Sequence, residues 1–104
     1  MAAVSAGKAD EFTPGEMKVV NVDGEDVAVT NVDGAWCAFR NECTHQQVPL
    51  ADGYGDLEGR RITCALHDSQ FDVKNGRVAR GPAEAPLKTY KVRVEGDEVL
   101  VGED

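Results

Sequence analysis

Basic residues are scarce in this chain of 104 residues: 11 Lys and Arg stand against 19 Asp and Glu, a formal net charge of −8. A nucleic-acid surface needs a basic footprint to neutralise phosphates, so that class of partner is excluded, and anionic lipid is disfavoured for the same reason. Long apolar runs are missing too. No stretch approaches the ~20 apolar residues of a membrane span, and the beginning, Met1 to Lys8, lacks the apolar core of a signal peptide; a cytoplasmic location is the expectation. Three cysteines are too few for a disulfide framework. No segment carries a 3.6-residue apolar stripe, and there is no repeat, low-complexity tract or linker. The length suits one domain over residues 1–104, able to bury roughly 65% of its unfolded surface.

Short apolar or alternating runs fill the chain instead, at Met17 to Val22, Asp26 to Val32, Ala35 to Phe39, Arg61 to Cys64, Gln70 to Val73, Lys88 to Val94 and Glu98 to Val101. Between them stand Asp23-Gly24, Asp33-Gly34, Asn75-Gly76 and Gly96-Asp97, pairs that accept positive φ and favour tight antiparallel hairpins. Ala9 to Phe12 suits a short turn. The pattern predicts an all-β protein, a small antiparallel sandwich or partly open barrel. Cys37 shares strand parity with Phe39 and reads as a buried core residue, whereas Trp36 lies on the opposite parity.

The chain has only two histidines, and each lies close to a cysteine: Cys43-Thr44-His45, then Cys64-Ala65-Leu66-His67. Both clips sit among turn-forming residues, where four donors can close around a metal centre. Each clip holds one thiol and one imidazole. A Rieske-type 2Fe-2S cluster takes two thiolates on one iron and two imidazoles on the other, so two mixed clips suit it. Zinc also accepts two cysteines and two histidines, but the usual finger spacing pairs like with like. A third alternative, unrelated buried cysteines and solvated histidines, leaves both loops without a function.

The chain resembles a soluble Rieske ferredoxin, the carrier type of aromatic-ring dioxygenase systems, from about Val4 to Gly102. CTHQQVPLADG is similar to that family's first cluster loop, ITCALHDSQFDVKNGRV to its second, and GPAEAPL, with Pro82, to the loop that shields the cluster. The resemblance implies that Cys43 and Cys64 bind an inner iron and that His45 and His67 bind an outer iron near the surface. It implies the Rieske fold, with both cluster loops at one end. Where the family usually has glycine after the second histidine, this chain has Asp68, a residue that tolerates positive φ better than most. Gln46 and Gln47 also replace the smaller residues common there.

With neutral imidazoles, two thiolates balance the oxidised core to about zero charge, and one electron takes it to about −1. Such a site is easier to reduce than an all-cysteine cluster, which is why Rieske potentials of roughly −150 to +300 mV exceed the ~−400 mV of plant-type ferredoxins. By resemblance, high-potential members carry a disulfide between positions matching Val48 and Leu66, and serine and tyrosine hydroxyls directed at cluster sulfurs. Here the disulfide is impossible, the serine is kept as Ser69, and Phe71 takes the tyrosine position. A low potential is expected, raised within its class if Ser69 donates to sulfur; alternatively Ser69 bonds only to backbone.

The implied function is one-electron transfer from a flavin-dependent reductase to a terminal oxygenase, through the surface around His45 and His67. Alternatives are a small subunit of an assimilatory nitrite reductase and a zinc-stabilised binding module. An oxygenase in its own right needs two further histidines beside a carboxylate for catalytic iron, and none is left. Charge is uneven along the chain: residues 1–59 hold eleven acids and three bases, 60–94 eight bases and three acids, and 95–104 five acids. Steering toward basic patches on redox partners is one use of that excess, and plain solvation is the other.

Overall fold

The computed structural model describes residues 3–13, 16–32, 34–44, 48–52, 55–65, 68–81 and 83–102, with residue 52 by its backbone alone. Strands β1 (Val4–Lys8), β2 (Met17–Val22), β3 (Glu25–Val32), β4 (Ala35–Arg40), β9 (Thr89–Glu95) and β10 (Glu98–Gly102) form one antiparallel sheet in the order β1-β10-β9-β4-β3-β2. Its two edges approach each other, so the sheet is nearly closed on itself. Strands β5 (Gly55–Glu58), β6 (Arg61–Cys64), β7 (Gln70–Asp72) and β8 (Val78–Arg80) form a second sheet in chain order.

The expected all-β architecture is present, and β2 and β6 run over the residues their apolar patterns mark. Strands β1, β5 and β8 were not foreseen. Val4–Lys8 and Gly55–Glu58 are half polar, and Val78–Arg80 is only three residues long. Each is a strand because a neighbour supplies its ladder: β10 for β1, β6 for β5 and β7 for β8. Ala9–Glu11 forms a single 3-10 turn. At Asp23-Gly24 both residues have positive φ, 51° and 87°, which matches the twist of the β2–β3 hairpin closing at Val22↔Glu25.

Alternation along β3 and β4 divides the interior into two cores. Val27, Val29 and Ala38 face the interior of the large sheet with Ala6, Val22, Tyr90, Val99 and Val101. Trp36 packs against this group and meets Phe12 edge-on at 4.9 Å. Ala28, Cys37 and Phe39 point the other way, onto Ile62, Phe71, Val73, Leu50, Ala83 and Leu87 of the smaller sheet and its loops. Cys37, 4% exposed, is the core residue its parity predicts.

Candidate metal centre

Cys64 ends β6, two residues after Ile62, so the strand's alternation turns both inward; their partners on β5 are Gly55 and Leu57. The backbone then turns sharply. Cys64 N–H donates to Ser69 O at 2.8 Å, and Asp68 N–H returns to Cys64 O at 2.9 Å. Asp68 has φ of 60°, the left-handed conformation that its replacement of glycine required. Cys43 follows the end of β4, and its N–H donates to Val48 O at 3.0 Å. The two candidate ligand loops therefore bend back at their cysteines, and Cys43 and Cys64, at 0% and 1% exposure, belong to one buried cluster.

The third loop is joined to both of these. Thr44 Oγ1 donates to Ala85 O at 2.6 Å, and Ala83 N–H donates to Ser69 Oγ at 3.1 Å. Leu87 N–H donates to Gly76 O at 2.8 Å, where the backbones approach so closely that a Cβ on Gly76 would lie 2.1 Å from Leu87 O. Among the described residues, 83–87 are thus held by one bond from each candidate ligand loop and one from the β7–β8 turn. Ser69 is buried and its oxygen accepts a backbone hydrogen bond; a hydroxyl that accepts retains its own proton to donate. Phe71, 0% exposed, packs in the same cluster as the two cysteines.

His45, His67 and Pro82 lie outside the described residues, as do Gln46, Gln47 and Leu66. The described part of the donor set suits a thiophilic centre: two thiols, neither in a disulfide, sharing one apolar cluster. Cys37 differs from them in its surroundings. Burial pushes its thiol above the ordinary range, outweighing the attraction of Lys74, and its sulfur lies 3.8 Å from Ala35 O.

Thr44 and Asn41 also shape this region, and neither stood out in sequence. The signal for Thr44 was its place between two candidate ligands. Asn41 had only the faint signal of a polar residue ending an apolar strand.

A polar knot lies at the end of β4, around Arg40. Glu25 of β3 accepts from Tyr90 Oη at 2.5 Å and from Lys88 Nζ at 2.9 Å, and Arg40 lies 3.5 Å away. The Tyr90 hydrogen bond and the Lys88 cation hold the Glu25 carboxyl below its ordinary range. Burial and the Glu25 carboxylate push Tyr90 up to about 12.

Comparison with known proteins places these loops in context. Residues 2–91 match the family model of the Rieske [2Fe-2S] domain. The biphenyl dioxygenase ferredoxin subunit of Pseudomonas sp. (strain KKS102) is 42% identical over 101 residues, 97% of this chain and 92% of that protein. The ferredoxin of carbazole 1,9a-dioxygenase from Nocardioides aromaticivorans IC177 superimposes with a TM-score of 0.89 at 32% identity, covering all of both chains. A chain from the complex of reduced oxygenase and oxidised ferredoxin in carbazole 1,9a-dioxygenase gives the same TM-score at 31% identity, covering 98% of this chain and 94% of that one.

Proposed function

This chain belongs to the Rieske 2Fe-2S family, and from that premise we propose that it is the one-electron carrier of an aromatic-ring dioxygenase system. It accepts from a flavin-dependent reductase and delivers to a terminal oxygenase, as one domain over residues 1–104 working in the cytoplasm. The cofactor is one 2Fe-2S cluster per chain, and when bound it supplies a reversible one-electron couple. We assign Cys43 and Cys64 to one iron and His45 and His67 to the other. The observation that carries the reading is the entry of Cys43 and Cys64, from loops 21 residues apart in sequence, into one buried cluster.

The chain's own residues do the rest. Cys43 and Cys64 sit where water is excluded, and residues 83–87, latched by Thr44 and Ser69, cover that side. We assign Ser69, Phe71 and Pro82 to the surroundings that tune the centre. Docking uses the surface around His45 and His67. The oxygenase circuit is preferred to a nitrite reductase subunit because the matching relatives are dioxygenase ferredoxins.

The test is the purified protein itself. It should be red-brown, with two irons and two acid-labile sulfides per chain and the electron paramagnetic resonance of a mixed-ligand cluster. Each of Cys43→Ser, His45→Ala, Cys64→Ser and His67→Ala should lose or transform that signal. Electrons should pass from a flavin reductase to a terminal dioxygenase only when the chain is added. A colourless protein with stoichiometric zinc, prepared without oxidation, would overturn the reading.

A further inference from the structure

We propose that Asn41 is a positioning residue for the metal centre, setting the first ligand loop by clamping its neck; the inference rests on the ligand assignment above. Asn41 follows the last residue of β4 and is 6% exposed. Its backbone N–H donates to Asp26 O at 2.8 Å, extending the β3–β4 ladder by one step. Its side-chain Oδ1 accepts from Ala51 N–H at 2.6 Å, across ten residues. Because Ala51 offers a donor, the amide oxygen must face it, which fixes the orientation of the Asn41 side chain.

The loop from residue 42 to residue 50 is therefore closed at both ends. On its far side Leu50, 0% exposed, begins the turn Leu50–Asp52 and fills the core between the sheets. Leu50 O also lies where a Cβ on Gly55 would come within 2.7 Å, so this turn rests directly on β5. Inside the neck, Cys43 N–H bonds to Val48 O. On the near side the anchor is the Glu25, Tyr90, Lys88 and Arg40 knot, with Arg40 N–H also bonded to Lys88 O at 2.8 Å. Asn41 thus joins a cross-linked platform to the end of a loop whose beginning carries Cys43. Without it, the backbone bond that remains to close the loop among the described residues is Cys43 N–H to Val48 O, and Cys43 gains freedom relative to Cys64.

A carboxylate at this position keeps an acceptor for Ala51, whereas alanine removes the side chain that carries it, so the two substitutions separate loss of the clamping group from the mere exchange of residue 41. The experiment uses the loaded protein and four forms: wild type, Asn41→Ala, Asn41→Asp and Val99→Ala. Val99→Ala opens the interior of the large sheet away from the centre and serves as a control for general destabilisation. Iron release to an excess chelator and the resonance spectrum of the reduced cluster are recorded for each.

Asn41→Ala should release iron at least tenfold faster than wild type and show broadened, shifted g-values. Asn41→Asp should stay within about threefold in release, and Val99→Ala should keep the wild-type spectrum. The proposal fails if Asn41→Ala matches wild type in both readouts, or if Val99→Ala changes the spectrum as much as Asn41→Ala does. Wild-type protein that shows no 2Fe-2S spectrum would instead defeat the ligand assignment on which the proposal rests.

Discussion

Replacing Ser69 by alanine separates two roles that one hydroxyl can play. The oxygen accepts from Ala83 N–H at 3.1 Å, and both residues are buried, at 1% and 4% exposure. Alanine leaves that N–H without its acceptor, which costs about 1 to 3 kcal/mol. Against a urea slope of ~1 to 3 kcal/mol per molar, the unfolding midpoint should fall by about 1 M. The hydroxyl proton is a separate matter. If it points to a cluster sulfur, the bond strengthens when reduction adds negative charge, and its loss destabilises the reduced state more. A differential of about 0.5 to 1.5 kcal/mol converts, at 59 mV per 1.4 kcal/mol for one electron, to a fall of about 20 to 65 mV. Urea unfolding and redox titration of Ser69→Ala, with the absorption spectrum as a control for an intact cluster, measure both. An unchanged midpoint refutes the Ala83 latch, and an unchanged potential refutes the sulfur bond.

Phe71→Tyr should raise the potential if its new hydroxyl reaches a cysteine sulfur, and should lower stability by about 1 to 3 kcal/mol if the hydroxyl stays unpaired in that 0%-exposed site; titration and urea unfolding distinguish the two. Thr30 is fully buried and its Oγ1 has no partner among the described residues, so the near-isosteric Thr30→Val should stabilise by about 1 kcal/mol, read as a higher urea midpoint. Glu25 is held below its ordinary range, so the stability it contributes is present above pH 4.5 and is lost as pH falls through its lowered value. Tyr90 is raised from 10.0 to about 12, so its contribution is full below pH 10 and is lost between pH 10 and about 12; Tyr90→Phe should abolish this alkaline loss in pH-dependent unfolding. If the acidic excess steers docking, the second-order rate of reduction by the reductase should fall as salt rises and the ~8 to 10 Å Debye length shortens; a salt-independent rate leaves the charge as solvation.

The sequence by itself determined the class of fold and the identity of the chemistry. Alternation in Met17–Val22 and Arg61–Cys64 and the positive-φ pair Asp23-Gly24 act over a few residues, so they are legible locally. The candidate donor set stood out for another reason: with two histidines and three cysteines in the chain, composition leaves few alternatives. The requirement at Asp68 was likewise local, a single backbone angle. Tertiary structure decided what depends on partners distant in sequence. Val4–Lys8 and Val78–Arg80 carry little pattern of their own and become strands through β10 and β7. The Ala51 bond that gives Asn41 its place spans 10 residues, the Thr44 latch spans 41, and the Glu25–Tyr90 bond spans 65. Such bonds leave no periodic trace, because each joins one residue to one distant backbone or side-chain group, and only the folded chain brings the pair together.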